Sequence, residues 1–228
     1  MMPRGSADVR GEQLAALETE YHALLTAPRI TRLLDRAQAN TQGLADWQVA
    51  NLREMRRQRD HAIATPVTLV ARLAKAASRA ESRWLEARAQ GKFESFAPHL
   101  EEVVHLVRDK AALLGQALNL APYDALVDEF SPGITTADID AMFKALSRRL
   151  PSLIREAIAL QESRAPLPLV GKFPAGKQRS LTVEVMKAVG FPFDRGRLDE
   201  SEQPFTEGVP GDIRVTTRFA PEDVFSGL

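Results

Sequence analysis

Apolar residues recur at helical spacing along almost the whole of this chain, and that period decides what it can fold into. Leu14, Leu17, Tyr21, Leu24 and Leu25 define one stripe, and Pro28 starts a short helix carrying Ile30, Leu33 and Leu34. Gly43 punctuates, and Leu44, Trp47, Leu52 and Met55 open a third helix. Thr65-Pro66 reads as an N-cap with proline at the first helical position, before a long helix that Gly91 ends. Leu100, Val103, Val104, Val107, Ala111, Leu114 and Leu118 form the cleanest stripe. Such stripes bury against one another, each large side chain contributing about 1.5–3 kcal/mol.

Pro122 to Phe130 reads as a short helix ended by Ser131-Pro132-Gly133. Thr135-Thr136-Ala137-Asp138 has the form of a capping box, with Asp in place of Glu or Gln. The stripe beyond it includes Ile139, Phe143, Leu146 and Leu150, and Pro151 inside it should kink or restart the helix. Pro166 to Pro174 reads as a loop, and Leu181, Val185 and Val189 close the helical part at Gly190. From Ile213 the period falls to two. Ile213, Val215, Thr217 and Phe219 share one face of a strand, and Asp212, Arg214, Thr216 and Arg218 share the other. One strand is not stable alone, so it needs partners. The expected fold is mainly α: a flexible tail over residues 1–12, then a multi-helix domain over 13–228 with one short β-strand region near its C-terminus.

Thirty basic and thirty acidic residues cancel, so no global field recruits nucleic acid or an anionic membrane. No run approaches the roughly 18 apolar residues of a membrane span, and the N-terminus lacks a signal-peptide core. With no cysteine there is neither a disulfide nor a thiolate, and a cytoplasmic protein is expected.

Few residues present a chemical pattern. A helical zinc pair needs histidines three or four apart, yet His22 and His61 are isolated and His99 and His105 are six apart. Surface or hydrogen-bonded structural roles are expected for all four. Arg53, Arg56, Arg57 and Arg59 read as a solvated helix face with acidic partners, since no aromatic residues interleave them for stacking on bases. Asp212-x-Arg214-x-Thr216 by spacing alone is a strand with an internal ion pair.

Taken with its neighbours, that last set says more. Gln203-Pro204-Phe205 lies just upstream and Thr217-Arg218 just downstream. Gly91-Lys92-Phe93-Glu94-Ser95-Phe96-Ala97-Pro98-His99-Leu100 leads into the cleanest stripe, and Tyr123-Asp124-Ala125-Leu126-Val127-Asp128-Glu129-Phe130-Ser131-Pro132-Gly133 follows it. Together these segments resemble the carboxypeptidase Taq family of HExxH metallocarboxypeptidases, from about residue 14 to the end. That family carries a His-Pro-Phe motif, an Asp-x-Arg-x-Thr motif and, shortly downstream, its HExxH helix. Here Gln203 stands where the family has His, and no HExxH occurs in the sequence. Glutamine forms hydrogen bonds but does not titrate near neutral pH.

The resemblance implies a nearly all-helical, often homodimeric enzyme that removes single amino acids from peptide C-termini with one metal, usually zinc. In the family, two His and a Glu of the HExxH helix, with a further Glu downstream, supply metal site and activated water. None of them is matched here, so this chain is expected to hold no zinc and to be inactive by itself, a truncated or degenerate relative. Gln203, Pro204, Phe205, Asp212, Arg214 and Thr216 are the residues it implies for substrate binding. Arg214 either grips a carboxylate or orients Asp212. Peptide C-termini and a second copy or partner polypeptide are the expected partners. The alternative is a stand-alone helical interaction module that reuses the scaffold. Apolar faces left open, on the rear of the Leu100–Leu118 stripe and at Ile213, Val215 and Phe219, are expected to drive association.

Overall fold

A computed structural model describes residues 6–162 and 171–227. The chain divides into two compact units, residues 1–152 and 153–228, one residue beyond Pro151. Helices α1 (Ala7–Thr26), α2 (Pro28–Gln38), α3 (Asp46–Ala64), α4 (Val67–Gln90), α5 (Ala97–Leu118) and α6 (Pro122–Phe130) build the first unit, with the opening turns of α7 (Thr136–Glu162). The second unit holds the end of α7, α8 (Ala175–Ala188) and three strands, β1 (Gly196–Glu200), β2 (Thr206–Val209) and β3 (Asp212–Thr217). The mainly helical expectation and the single small sheet near the C-terminus both hold. Among the described residues no helix is long and apolar enough to cross a membrane.

In the first unit α1 packs on α4, α4 on α5, and α5 on α6. Its apolar centre is Leu69, Ala76 and Leu106, with Leu73, Val103 and Leu113 packed against them. The α1–α4 contact departs from the stripe read in the sequence. Gly11 and Ala15 are the buried residues of α1, whereas Leu17, Tyr21 and Leu24 are exposed. The reason is steric: at Gly11 a Cβ would sit 3.6 Å from Lys75 Cα and from Ser78 Cβ, so small residues set this close helix approach. α1 begins at Ala7, within the stretch expected as a tail.

Helix ends follow the sequence closely. Gly91 ends α4 in the left-handed conformation, φ 65°. Thr135 and Asp138 cap α7 reciprocally: the Thr135 backbone N–H donates to Asp138 Oδ2 at 2.9 Å, and the Asp138 N–H to Thr135 Oγ1 at 3.3 Å. Helix α4 starts one residue later than expected, at Val67, with Pro66 as its N-cap; Thr65 closes α3 instead. α7 runs through Pro151 as one continuous helix rather than restarting there. Most of the loop expected over Pro166 to Pro174 lies outside the described residues.

In the second unit β3 is central, parallel to β1 and antiparallel to β2. Strand β1 was not legible as one, because Leu198 is its single large apolar residue. The β2–β3 turn is Pro210-Gly211; proline fixes φ near −65° and Gly211 has φ 95°, the pattern of a type II turn. One residue before Val209, Gly208 adopts φ 153°, a conformation that favours glycine. A Cβ at Gly208 would lie 2.2 Å from Asp212 O, so Gly208→Ala should open the hairpin. Hydrogen exchange is expected to speed up for the β2 and β3 amides while the helices of the first unit keep their protection.

Candidate functional site

The register of the sheet decides which motif residues meet. β3 sets Arg214 beside Arg197 of β1 and Glu207 of β2, and sets Thr216 beside Asp199. Paired residues share a face, so Asp212, Arg214 and Thr216 stand with Arg197, Asp199 and Glu207 on one side of the sheet. The other side carries Leu198, Ile213 and Val215, with Leu198 buried.

Two arginine–carboxylate forks lie side by side on the polar face. Arg214 donates through Nε to Asp212 Oδ1 at 3.1 Å and through a terminal nitrogen to Oδ2 at 2.9 Å. Arg197 grips both oxygens of Asp199 in the same way, one at 2.7 Å. The Arg214 hydrogen bond holds the Asp212 carboxyl below its ordinary range, against the opposing effect of burial, and Arg197 adds to the lowering at longer range. Asp199 is lowered likewise, first by Arg197. Both carboxylates therefore stay ionised throughout the neutral range. The Arg197–Asp199 fork was missed in the sequence, although Arg-x-Asp is the reverse of the Asp-x-Arg that was noticed.

Thr216 ties the two motifs together. Its Oγ1 accepts from the Phe205 backbone N–H at 2.9 Å, and its own N–H donates to Phe205 O at 2.8 Å. Just upstream, Ser201 Oγ donates to the Gln203 carbonyl at 3.0 Å, which fixes the entry to Pro204. The Gln203 and Phe205 side chains are exposed. The structure thus brings Phe205, Asp212, Arg214 and Thr216 together on one hairpin, with Gln203 and Pro204 at its edge.

The other sequence motif serves structure. Asp124 Oδ1 accepts the Thr136 N–H, and Asp128 Oδ1 accepts the Gly133 N–H, both at 2.8 Å, closing the α6–α7 turn. Asp128 Oδ2 also lies 2.8 Å from His61 Nε2 and 3.3 Å from an Arg57 terminal nitrogen. His22 Nε2 reaches the Ala62 and Thr65 carbonyls, each at 2.8 Å, at the end of α3. Both histidines border a cavity of about 420 Å³ floored by Leu69 and Leu73. Of the basic run, Arg56 and Arg57 engage Asp35, Glu54 and Asp128 as expected, but Arg59 is buried and donates to Thr31. The solvated-face reading fails for that residue because α2 covers it.

Among the described residues no three His, Asp or Glu side chains converge in a way that holds a metal ion. The nearest approach to a ligand set, His61 with Asp128, fits a divalent metal poorly: the Arg57 cation already occupies the same carboxylate.

The sequence model of the carboxypeptidase Taq (M32) metallopeptidases matches residues 1–228, and the chain belongs to this family. It is 34% identical to thermostable carboxypeptidase 1 of Thermus thermophilus over 238 aligned positions, covering 99% of this chain and 46% of that protein. Carboxypeptidase 1 of Bacillus subtilis is 28% identical, over 97% of this chain and 44% of that protein. Among solved structures, Trypanosoma cruzi metallocarboxypeptidase 1 superposes with a TM-score of 0.80 at 34% identity, covering 100% of this chain and 46% of that one. The BsuCP crystal structure gives 0.89 at 27% identity, with the same coverage. The chain thus spans less than half the length of the curated relatives it matches.

Proposed function

We propose that this chain is the N-terminal portion of a cytoplasmic Taq-family metallocarboxypeptidase, supplying a helical scaffold and one wall of the peptide cleft, and that it cannot hydrolyse peptides by itself. The observation that carries this reading is the lock between Thr216 and Phe205, which fuses the two family motifs into one rigid polar surface. On that surface Asp212 and Thr216 face the C-terminal end of a peptide, and Arg214 is a positioning residue whose fork fixes the Asp212 carboxylate. Zinc in the whole protein would activate the water and polarise the scissile carbonyl. The described residues do not fit that metal, and no step of catalysis is assigned to them.

The test has two parts. The purified chain should contain no stoichiometric zinc by metal analysis and should leave the C-terminus of a test peptide intact. Peptide binding, read by fluorescence anisotropy, should weaken about tenfold in Arg214→Ala and recover partly in Arg214→Lys. The thermal midpoint should not move, because the fork is exposed and such pairs contribute little to stability. Equal binding by Arg214→Ala and the wild type would remove the cleft-wall role. The exposed apolar residues of α7 favour a second reading, a stand-alone interaction module. Stable self-association without peptide binding would support that reading instead.

A further inference from the structure

The first unit holds a cavity that the function proposed above does not use. Its volume of about 420 Å³ falls within the roughly 300–1,000 Å³ of small-molecule sites. Leu25, Leu69, Val70 and Leu73 line it with hydrocarbon, and His22, His61, Glu18 and the Lys110–Glu129 ion pair supply its charged and titratable groups. Each imidazole has one nitrogen committed to the protein and one left over. His22 Nε2 lies 2.8 Å from both the Ala62 and the Thr65 carbonyl oxygen, which only accept, so Nε2 carries the hydrogen. His61 Nε2 lies 2.8 Å from Asp128 Oδ2. Asp128 is ionised at neutral pH, because burial raises its carboxyl by less than the Gly133, His61 and Arg57 hydrogen bonds lower it. His61 Nε2 is therefore a donor as well, and in both neutral rings Nδ1 is a lone-pair acceptor.

Among the described residues no protein group donates to either Nδ1. His61 is 7% exposed, yet the side-chain atoms sealed from solvent without a partner are Arg59 Nε and Gln178 Oε1, not its Nδ1. That nitrogen therefore keeps contact with solvent, and the cavity is the concave surface that His61 borders. Glu18 adds a carboxylate with no ion pair among the described residues, whereas Lys110 and Glu129 satisfy each other at 2.5 Å. The cavity thus offers two imidazole acceptors and one uncompensated carboxylate beside a hydrocarbon floor. An ammonium group brings donors and a positive charge to such a set, while a carboxylate or phosphate brings only acceptors. We propose that this cavity binds a small apolar primary amine, with its hydrocarbon on Leu69 and Leu73 and its ammonium held by Glu18, His22 and His61.

The test titrates phenethylamine into the full chain at about pH 8, where free imidazole is neutral and an alkylamine still charged. Nitrogen–proton NMR that observes the imidazole nitrogens should show saturable shifts of Nδ1 in both His22 and His61. Phenylpropionate, equally apolar and opposite in charge, should bind at least about tenfold more weakly, the worth of one charge-assisted hydrogen bond. Glu18→Gln changes an exposed position, so it should weaken the amine about tenfold and leave far-UV circular dichroism unchanged. Ala77 is exposed and lines the cavity, so Ala77→Phe fills it from the rim and should abolish binding. Three results overturn the proposal: no saturable binding of the amine, equal binding of the two probes, or amine binding unchanged in Ala77→Phe. Arg214 belongs to the second unit, and Arg214→Ala should bind the amine as the wild type does. The amine site therefore stands or falls separately from the cleft-wall reading.

Discussion

Asp128→Ala is expected to destabilise the first unit by about 2–4 kcal/mol, measured by urea unfolding at pH 7. The carboxylate is 13% exposed and is held by three groups from three places in the chain: the Gly133 amide, His61 and Arg57. Its loss leaves a buried imidazole and a part-buried guanidinium without their shared acceptor, and it unties the α6–α7 turn. Asp128→Asn keeps the shape and an acceptor for Gly133, so it should cost roughly half as much. The pH dependence separates charge from shape. Burial by itself pushes the Asp128 carboxyl up, but the Gly133, His61 and Arg57 hydrogen bonds prevail and its pKa lies below the ordinary 3.8. A carboxyl lowered by folding stabilises the native state fully above its unfolded value, and that contribution fades as pH falls through the folded value. The gap between wild type and Asp128→Asn should therefore narrow as pH falls below about 4. Neighbouring Glu54, drawn down to about 2 first by its hydrogen bond from Arg57, is coupled to Asp128 through that arginine, so Glu54→Gln in both backgrounds isolates the Asp128 contribution. A gap that persists undiminished below about pH 4 would show that the charge of Asp128 is not what holds this network.

Asp128 also marks how far the sequence could be read. Its motif was visible, and the turn at Gly133 follows from residues only five positions apart. The link to His61 was not, since 67 residues separate the two and nothing local to either requires the other. The same distinction runs through the fold. The α5 stripe was legible in part: Ala111 and Leu114 bury one face of a long helix, but Leu106, also buried there, was not in it, and Leu100 and Val104 are exposed. α1 misled because its contact is made by Gly11 and Ala15, whose smallness lets backbones approach but gives no hydrophobic signal. β3 was legible from its alternation, while β1, with Leu198 alone to anchor it, becomes a strand only through pairing with β3. At the candidate site the Asp212–Arg214 fork was read as an ion pair and is one. What the sequence left open was the choice between gripping a ligand and orienting Asp212. The bidentate geometry favours orientation.

Leu106→Ala should be among the most damaging apolar truncations, by about 2–5 kcal/mol, because the removed methyl groups leave a cavity that a helical scaffold fills only in part. Leu106 is 2% exposed and sits with Leu69 and Ala76 at the junction of α4 and α5, so helices that carry the rest of the first unit meet there. Denaturant midpoints make the measurement clean. With a slope near 1–3 kcal/mol/M in urea, the midpoint should fall by roughly 1–2 M at unchanged slope. Both tryptophans, Trp47 and Trp84, lie on helices of the first unit, so their fluorescence follows this unit alone. Leu146→Ala is the informative control. It removes the same atoms from a side chain 45% exposed on α7, and should cost under about 1 kcal/mol in the isolated chain. Equal losses in the isolated chain would mean that Leu146 is packed as deeply as Leu106, against exposures of 45% and 2%.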